Sequence, residues 1–300
     1  MTTLRRSILA LLLLATCSVP YASAQENDEV GVWTEIGVEK AITKKWDVGL
    51  DLEYRAQNRA RFSAGLSTSY KPWKFLKLGI GYNFLYSQRP DKYKEKNSRD
   101  EDPDNYSVGY NLTPEYWFPR HRFSVEATGS IKLWGWLKLS LRERYQLTYC
   151  KTRYVSKYKY RQNYTTQWVT IEDPDDPWNW EMVEVKDVPD GEPTGTWETE
   201  EKPSTTDHVL RSRIKLEFDK KRNPFSPFVS AELHNSVKPG DRMLLQKVRT
   251  AAGLGYKFRK KHEVTFAYML TFDIYDIEED EVVRVDNRMH AINIGYKYSF

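Results

Sequence analysis

The most constraining feature of this sequence is an alternation of apolar and polar side chains that repeats along almost the whole chain after residue 29. Residues 46–54, 76–84, 214–218 and 264–274 each carry apolar side chains at every second position. This period is that of a β-strand with one apolar and one polar face, because successive side chains point to opposite sides of a sheet. No segment shows an apolar stripe with helical periodicity. The sequence therefore predicts an all-β protein.

The length of the alternating runs favours a membrane-spanning barrel over a secreted β-sandwich. The runs extend over about nine to eleven residues, the length with which a tilted strand crosses a bilayer. Sandwich strands usually have about five or six residues. Aromatic residues cluster at the run ends, where a barrel carries its interfacial girdles. These residues are Trp46, Tyr54, Tyr70, Trp73, Trp134, Trp136 and Tyr145. We predict a transmembrane antiparallel β-barrel of about 12 strands, within a range of about 10 to 12.

The connections between the predicted strands alternate between short and long. Three long polar segments, 87–120, 151–207 and 276–287, are separated by short connections such as 133–136 and 259–262. This asymmetry is typical of bacterial outer-membrane barrels, which have short periplasmic turns and long extracellular loops. About eleven strands are clear from the pattern, and the alternating segment 106–112 is the obvious twelfth, because such barrels usually have an even number. Counting it, however, puts a long connection on the side of the short turns, so the position of the last strand stays open.

The N-terminus has the layout of a secretory signal peptide. Two arginines precede a short apolar run and a stretch of small residues that ends at Ala24. We predict a signal peptide at residues 1–24 and a single exported barrel domain at residues 25–300. A lipoprotein signal ending at Cys17 is the alternative. The predicted location is the outer membrane of a Gram-negative bacterium.

The chain ends in an alternating strand whose aromatic face carries Tyr296, Tyr298 and Phe300. A terminal strand of this kind that ends in Phe resembles the signal recognised by the outer-membrane barrel-assembly machinery, which we predict as a partner during biogenesis. Outer-membrane lipid and lipopolysaccharide are the other predicted partners. The formal net charge of +4 is small for a chain of this length, so no nucleic-acid partner is expected.

Several short motifs make the chain similar to a known family. They are Lys44-Lys45-Trp46, Glu53-Tyr54-Arg55, and the segments 119–123, 141–145, 210–213, 227–235 and 295–298. On these motifs the chain resembles the outer-membrane barrel family called domain of unknown function 2490, which is common in Bacteroidota. The resemblance extends over nearly the whole mature chain. It implies a location and a fold, and it supplies no catalytic residues.

The polar faces of the predicted strands carry charges of both signs. The residues expected to form an ion-pair network in the lumen are Glu53, Arg142, Arg144, Arg211, Arg213, Glu217 and Glu232. A barrel of about twelve strands is narrower than a porin, so opposite charges on this face are expected to pair. We predict that the four arginines face the three glutamates and largely close the lumen. This favours a structural, binding or narrow transport role over that of a general porin.

Two alternative functions are left open. His234 and Ser236 lie two positions apart with Glu232 on the same face, so that a base, a nucleophile and an acid could form a barrel lipid hydrolase. His234 is expected to face the lumen, however, whereas lipid is met at the outer wall, so no catalytic site is predicted. The second alternative is a surface binding module in the segment 151–207. Between residues 165 and 207 this segment has thirteen acidic side chains and two lysines, and we interpret it as a solvated extracellular loop.

No cofactor or metal is predicted. The sequence has no histidine or cysteine pair with metal-ligand spacing, and no glycine-rich phosphate loop ahead of a helix. The acidic run 173–177 lacks the spacing of a calcium loop. Within the long acidic segment, residues 168–171 and 182–185 are expected to form a hairpin.

Overall fold

The protein is described here by a computed structural model that covers residues 28–102, 104–172, 180–220, 223–237, 242–278 and 281–300. The predicted signal peptide at 1–24 and the acidic run at 173–177 lie outside these ranges. No helix among the described residues is long and apolar enough to cross a membrane. Every regular element in the described ranges is a β-strand, which confirms the predicted all-β class.

Fifteen strands follow one another along the chain. They are β1 (Asp28–Ala41), β2 (Trp46–Ala56), β3 (Arg61–Trp73), β4 (Leu76–Arg89), β5 (Lys92–Asn97), β6 (Asn105–Thr113), β7 (Tyr116–Leu133), β8 (Leu137–Cys150), β9 (Arg153–Glu172), β10 (Trp180–Lys202), β11 (Thr205–Phe218), β12 (Phe225–Ser236), β13 (Leu244–Phe258), β14 (His262–Glu278) and β15 (Glu281–Ser299). Eleven of them form a closed barrel in the order β1-β15-β14-β13-β12-β11-β8-β7-β4-β3-β2. The predicted barrel is therefore confirmed.

The barrel closes through a parallel pair of strands. Val32 of β1 lies opposite Ile292 of β15, and Ile36 lies opposite Tyr296. By contrast, β1 and β2 pair antiparallel, as do β14 and β15. When consecutive barrel strands alternate in direction and their number is odd, the first and last strands point the same way. An eleven-stranded barrel of this kind can close only through a parallel pair.

The segment expected as a twelfth barrel strand lies in a different sheet, so this expectation is wrong. It forms β6, which pairs with β5 on one side and with β9 on the other; Tyr110, for example, lies opposite Tyr160. The four strands have the order β10-β9-β6-β5. They belong to a second compact unit made of residues 89–116 and 152–203.

The segment predicted as a long acidic loop, 151–207, contains two of the longest strands of the chain. Val169 of β9 lies opposite Val183 of β10, which confirms the hairpin expected there. The alternation of tyrosine and basic residues at 157–161 is a strand pattern, and its backbone groups are paired on both edges of β9. The predicted loop at 276–287 is likewise shorter than expected, because β14 and β15 continue as a paired hairpin.

The two faces of the barrel strands differ as the alternation predicts. Leu50, Leu78, Ile214 and Phe266 lie on the outer wall and are between 42% and 58% exposed. At the intervening positions of β14, side chains such as Ala267 face the lumen and are buried. The inside of the barrel is thus polar and charged, and the outside is apolar.

Aromatic rings border the outer wall at both ends of the strands. We call the end with the short turns 42–45, 134–136 and 259–261 the turn end, and the opposite end the loop end. Exposed aromatic residues at the turn end are Trp46, Trp73, Phe75, Trp134, Trp136, Phe225, Tyr256 and Phe300. At the loop end they are Tyr54, Phe62, Tyr86 and Tyr149. All seven aromatic residues that the sequence places at run ends are exposed.

The parallel closure can be tested by cross-linking. Thr34 and Ile294 are directly opposed in the pair of β1 with β15. In a background without Cys150, the variant Thr34→Cys/Ile294→Cys should form a disulfide, because directly paired Cα atoms are close enough for one. The readout is the mobility of the unreduced protein in an electrophoresis gel.

A register-shifted pair provides the control. The variant Thr34→Cys/Tyr298→Cys displaces one thiol by four residues along β15, about 13 Å in an extended strand, and should stay reduced. Cross-linking of the shifted pair in place of the direct pair would contradict the register of closure.

Candidate functional site

Two adjoining cavities occupy the lumen of the barrel. The larger, of about 410 Å³, is lined by nine cationic side chains, and we call it the basic chamber. These cationic residues are Arg55, Arg61, Arg122, Arg142, Arg144, Arg211, Arg213, Lys215 and Arg249. The carboxylates that line it are Glu35, Asp51, Glu53 and Glu232. Positive side chains therefore outnumber negative ones by more than two to one in this chamber.

Glu232 of β12 holds together one side of the basic chamber. It is 4% exposed, and Arg142 donates a hydrogen bond of 2.9 Å to its Oε2 atom. Arg211 donates to its other oxygen, Oε1, and the Nε2 atom of His234 lies 2.9 Å from the same atom. A single buried carboxylate thus contacts three basic side chains from three strands. Removing such a partner leaves buried charges without compensation.

Glu53 of β2 has the same role on another part of the wall. Arg55 forms a two-pronged contact with it, with hydrogen bonds of 2.8 Å and 2.9 Å to its two oxygens. Arg61 of β3 donates a third hydrogen bond, 2.7 Å long. Such bidentate charge-assisted contacts hold both partners in a defined orientation. Glu53 is thus paired locally, with arginines other than the four that the sequence prediction assigned to it.

Trp33 of β1 gives the basic chamber a large buried aromatic wall. Its side chain is 2% exposed, and its indole N–H donates a 2.8 Å hydrogen bond to Gln57. The guanidinium of Arg55 lies 3.5 Å from the ring centroid, and that of Arg249 lies 4.8 Å from it. Arginine over an indole face is a favourable cation–π arrangement, and it is stronger when the pair is shielded from water.

Three arginines of the chamber have no carboxylate of the described residues within 4.0 Å: Arg122, Arg213 and Arg249. The Nε atom of Arg122 donates to the hydroxyl of Thr148 at 3.1 Å, and that of Arg249 donates to the hydroxyl of Thr271 at 3.0 Å. These neutral partners orient the two guanidinium groups without neutralising them. The surplus of positive charge in the chamber is therefore carried by Arg122, Arg213 and Arg249.

The second cavity, of about 280 Å³, lies nearer the turn end and has a balanced charge. Glu39 pairs with Lys297 across the closing strands and lies 3.5 Å from Lys77. Asp47 pairs with Lys71 at 2.7 Å. The surplus of arginines therefore lies in the basic chamber and not in the cavity nearer the turn end.

The structure places the seven predicted network residues inside the barrel but pairs them differently from the prediction. Six of them line the basic chamber. Arg142 and Arg211 meet Glu232, whereas Arg144 pairs with Glu126 at 2.5 Å. The seventh residue, Glu217, pairs with its strand neighbour Lys215 at 2.9 Å.

The sequence prediction missed Arg61, Arg122, Arg249 and Trp33. None of the four lies on a strand that carries one of the seven predicted residues. The strand period could still have identified them, because each is out of phase with exposed apolar residues of its own strand, such as Phe62 and Phe123. Arg61 and Arg122 lie near strand ends, and Arg249 is followed along its inward face by alanine and glycine, which hides the charged face from a search for long charged runs.

The residues of the alternative hydrolase hypothesis are only partly brought together. Glu232 and His234 are in contact, but the carboxylate is shared with two arginines. Among the described residues, no hydrogen bond joins the Ser236 hydroxyl to the His234 ring. The described residues also contain no cluster of three His, Cys, Asp or Glu side chains placed to hold a metal ion. The hydrolase hypothesis stays a prediction.

The three residues of the predicted assembly signal line the outer face of β15 at the turn end. The hydroxyl of Tyr296 and the Nδ1 atom of His262 are 2.8 Å apart. The rings of Tyr298 and Phe300 stack with centroids 5.6 Å apart. The backbone N–H of Phe300 donates to the carbonyl of Glu39 at 3.0 Å, so the last residue is tied to β1.

The second unit carries a row of aromatic rings on one face of its sheet. The ring of Tyr110 lies 4.9 Å from that of Tyr93 and 5.3 Å from that of Tyr160. Tyr158, on the same strand as Tyr160, packs against Trp197 of β10, and the two ring centroids are 5.1 Å apart. Tyr93 and Trp197 are 57% and 64% exposed. The predicted surface binding module at 151–207 stays a prediction.

The opposite face of the same sheet is held by ion pairs. Lys159 lies 2.5 Å from Glu198, and Lys157 lies 3.6 Å from Glu200. A hydrogen bond from Lys202, together with its positive charge, lowers the pKa of Glu200. The aromatic face is therefore presented by a sheet whose other face is polar and charged.

The importance of Glu232 for stability can be tested by substitution. Glu232→Gln should lower the free energy of unfolding by about 3–5 kcal/mol, because it leaves Arg142 and Arg211 buried without a counter-charge. Urea titration of the folded protein in detergent measures the effect. Asp219→Asn is the matched control, since the Lys132–Asp219 pair has side-chain exposures of 56% and 40%. Its loss should cost about 0–1 kcal/mol, and equal costs would contradict the assigned role of Glu232.

Comparison with known proteins places this architecture in a family. None of the curated proteins compared matches the chain. The family model described as a protein of unknown function, DUF2490, matches residues 30–276, which include β2 to β13, most of β1 and β14, and thus the whole second sheet. The chain belongs to the DUF2490 family.

Proposed function

We propose that the protein is an integral β-barrel of the bacterial outer membrane whose lumen is closed by its own charged side chains. The observation that carries this proposal is the division of the barrel strands into an exposed apolar outer face and a charged inner face. A water-soluble barrel would have the opposite arrangement, because its outer face meets water and its inner face forms the core.

The outer wall supports a membrane location in detail. Its exposed aliphatic residues include Leu50, Leu52, Leu66, Ile80, Val125, Leu141, Ile214 and Val229. The exposed aromatic residues lie towards the turn end and the loop end of the strands. An aliphatic band between two aromatic girdles is the pattern of a barrel whose wall meets lipid chains and whose rims meet head groups. Outer-membrane lipid, including lipopolysaccharide, is the partner this wall fits.

The lumen supports a closed barrel in place of a general pore. An eleven-stranded barrel is narrower than the sixteen-stranded porins that hold an aqueous channel. Its interior is crossed by long side chains that pair between strands, such as Arg142 with Glu232 and Arg61 with Glu53. These contacts leave two cavities of about 410 Å³ and 280 Å³. A binding role or a narrow pathway fits such an interior better than free diffusion.

The predicted assembly signal fits the same proposal. Tyr296, Tyr298 and Phe300 lie on the outer face of the closing strand β15, which can pair along its edge before β1 joins it. The barrel-assembly machinery is the partner proposed for this edge. The proposal also requires export, for which the sequence offers the signal peptide at 1–24.

A charged residue on the outer wall tests the membrane location. Leu50→Arg should cost about 2–4 kcal/mol, because it puts a cation against lipid near the middle of the wall. The amount of folded protein in the outer-membrane fraction should fall, as measured by heat-modifiable gel mobility. Val169→Arg is the control, since Val169 is also exposed on a strand, at 42%, but belongs to the second unit. Recovery of the unaltered protein in the soluble periplasm would refute the proposal.

Conductance tests closure of the lumen. The purified protein in a planar bilayer should be silent, and Arg211→Ala/Arg213→Ala should produce measurable ion current, because it removes two long side chains from the basic chamber. Lys132→Ala, at the turn end, is the control and should stay silent. A steady open state of porin size in the unaltered protein would show that the lumen is open.

A further inference from the structure

We propose that the basic chamber is a binding site for a small multivalent oxyanion, a class that includes inorganic phosphate, phosphate esters and polycarboxylates. This inference goes beyond closure of the lumen, which balanced ion pairs would also achieve. It rests on the composition and geometry of the chamber, and it holds whether or not the barrel conducts ions.

The charges of the chamber are unbalanced. Nine cationic side chains line it against four carboxylates, two of which are each shared by two arginines. Counting also Glu126 and Glu217, which pair with Arg144 and Lys215, nine cations still face six carboxylates. Holding like charges together in a partly dry space is unfavourable unless a counter-charge is supplied. A bound anion of two or more negative charges would supply it.

Some of the cationic side chains are held in a fixed orientation and keep free donor nitrogens. Arg122 and Arg249 are fixed through their Nε atoms by Thr148 and Thr271, and the terminal nitrogens of both groups donate to no acceptor of the described residues. Arg213 shares the chamber with them. The guanidinium fork matches the oxygens of phosphate and carboxylate groups in a bidentate way. Donors that are already positioned need little further ordering when the anion binds.

The chamber has the size and the polar lining of a small-molecule site. A cavity of about 410 Å³ lies within the range of small-molecule sites, about 300–1,000 Å³. Neutral polar side chains such as Ser63, Asn83, Gln146 and Asn293 also line it and can bind hydroxyl or further oxygen atoms. The buried ring of Trp33 holds Arg55 and Arg249 in place. The chamber is thus built for a compact polar anion.

Isothermal titration calorimetry of the detergent-solubilised full-length protein tests the site, with inorganic phosphate and citrate as probes at low ionic strength. We expect saturable binding of one anion per barrel, weakened by added salt. Arg122→Gln/Arg249→Gln should weaken binding at least tenfold. Arg259→Gln is the control, because it removes the same charge from the exposed turn between β13 and β14 and should leave the affinity unchanged.

Two further arms complete the test. Each variant is first checked for heat-modifiable mobility; if the double variant does not fold, Arg213→Gln takes its place and should also weaken binding. A short-chain phosphatidic acid is titrated in parallel. If this lipid binds tightly while phosphate and citrate do not bind, the anion of the site is a lipid head group. Absence of saturable binding of all three probes at 10 mM would overturn the inference, as would equal affinities of the chamber and turn variants. Neither result bears on the membrane location, which the wall substitutions test separately.

Discussion

The backbone pairing of β1 with β15 is the contact on which the rest of the structure depends. Without it, the eleven strands would form an open sheet with two edges of unpaired N–H and C=O groups, which are costly in an apolar surrounding and prone to pair with other chains. Because the number of strands is odd, this pair is parallel. Its register also sets the interior. It brings Glu39 beside Lys297 across the seam and places Trp33 where Arg55 and Arg249 can both reach its ring.

The interior so formed is held together by charge more than by apolar packing. Among the described residues, the buried apolar cluster inside the barrel is small, built from Trp33, Met269 and Ala291. The remaining volume is occupied by arginines and by the few carboxylates that they share. Glu53 binds Arg55 of its own strand and Arg61 of β3, and Glu232 binds Arg211 of β11 and Arg142 of β8, so each carboxylate ties different strands together. Buried carboxylates in such positions are expensive to remove, because the arginines around them cannot leave the lumen.

How much of the structure the sequence predicts depends on how far along the chain each physical effect reaches. The strand period is local, and it correctly assigned Leu50 and Phe266 to the wall and Arg211 and Glu232 to the lumen. Strands that pair across an insertion are far apart in the sequence, so a local pattern does not identify them as partners. The alternation of 106–112 identified a strand, but it could not show that this strand pairs with β9 in a separate sheet. For the same reason, the pairing of Glu53 with Arg61 depends on how β2 and β3 line up, which one strand's pattern does not contain.

The surplus of arginine is the feature that packing and closure do not explain. A lumen can be filled more cheaply by apolar side chains, or by ion pairs in equal numbers, since every unmatched buried cation costs free energy. The turn-end cavity of the same barrel has such a balance, with Glu39, Asp47, Lys77 and Lys297 close together. The two cavities of this lumen therefore differ in charge because the inward-facing residues differ along the barrel axis. An arrangement that stabilises one cavity by pairing and leaves the other cationic is best explained by a ligand that completes the second.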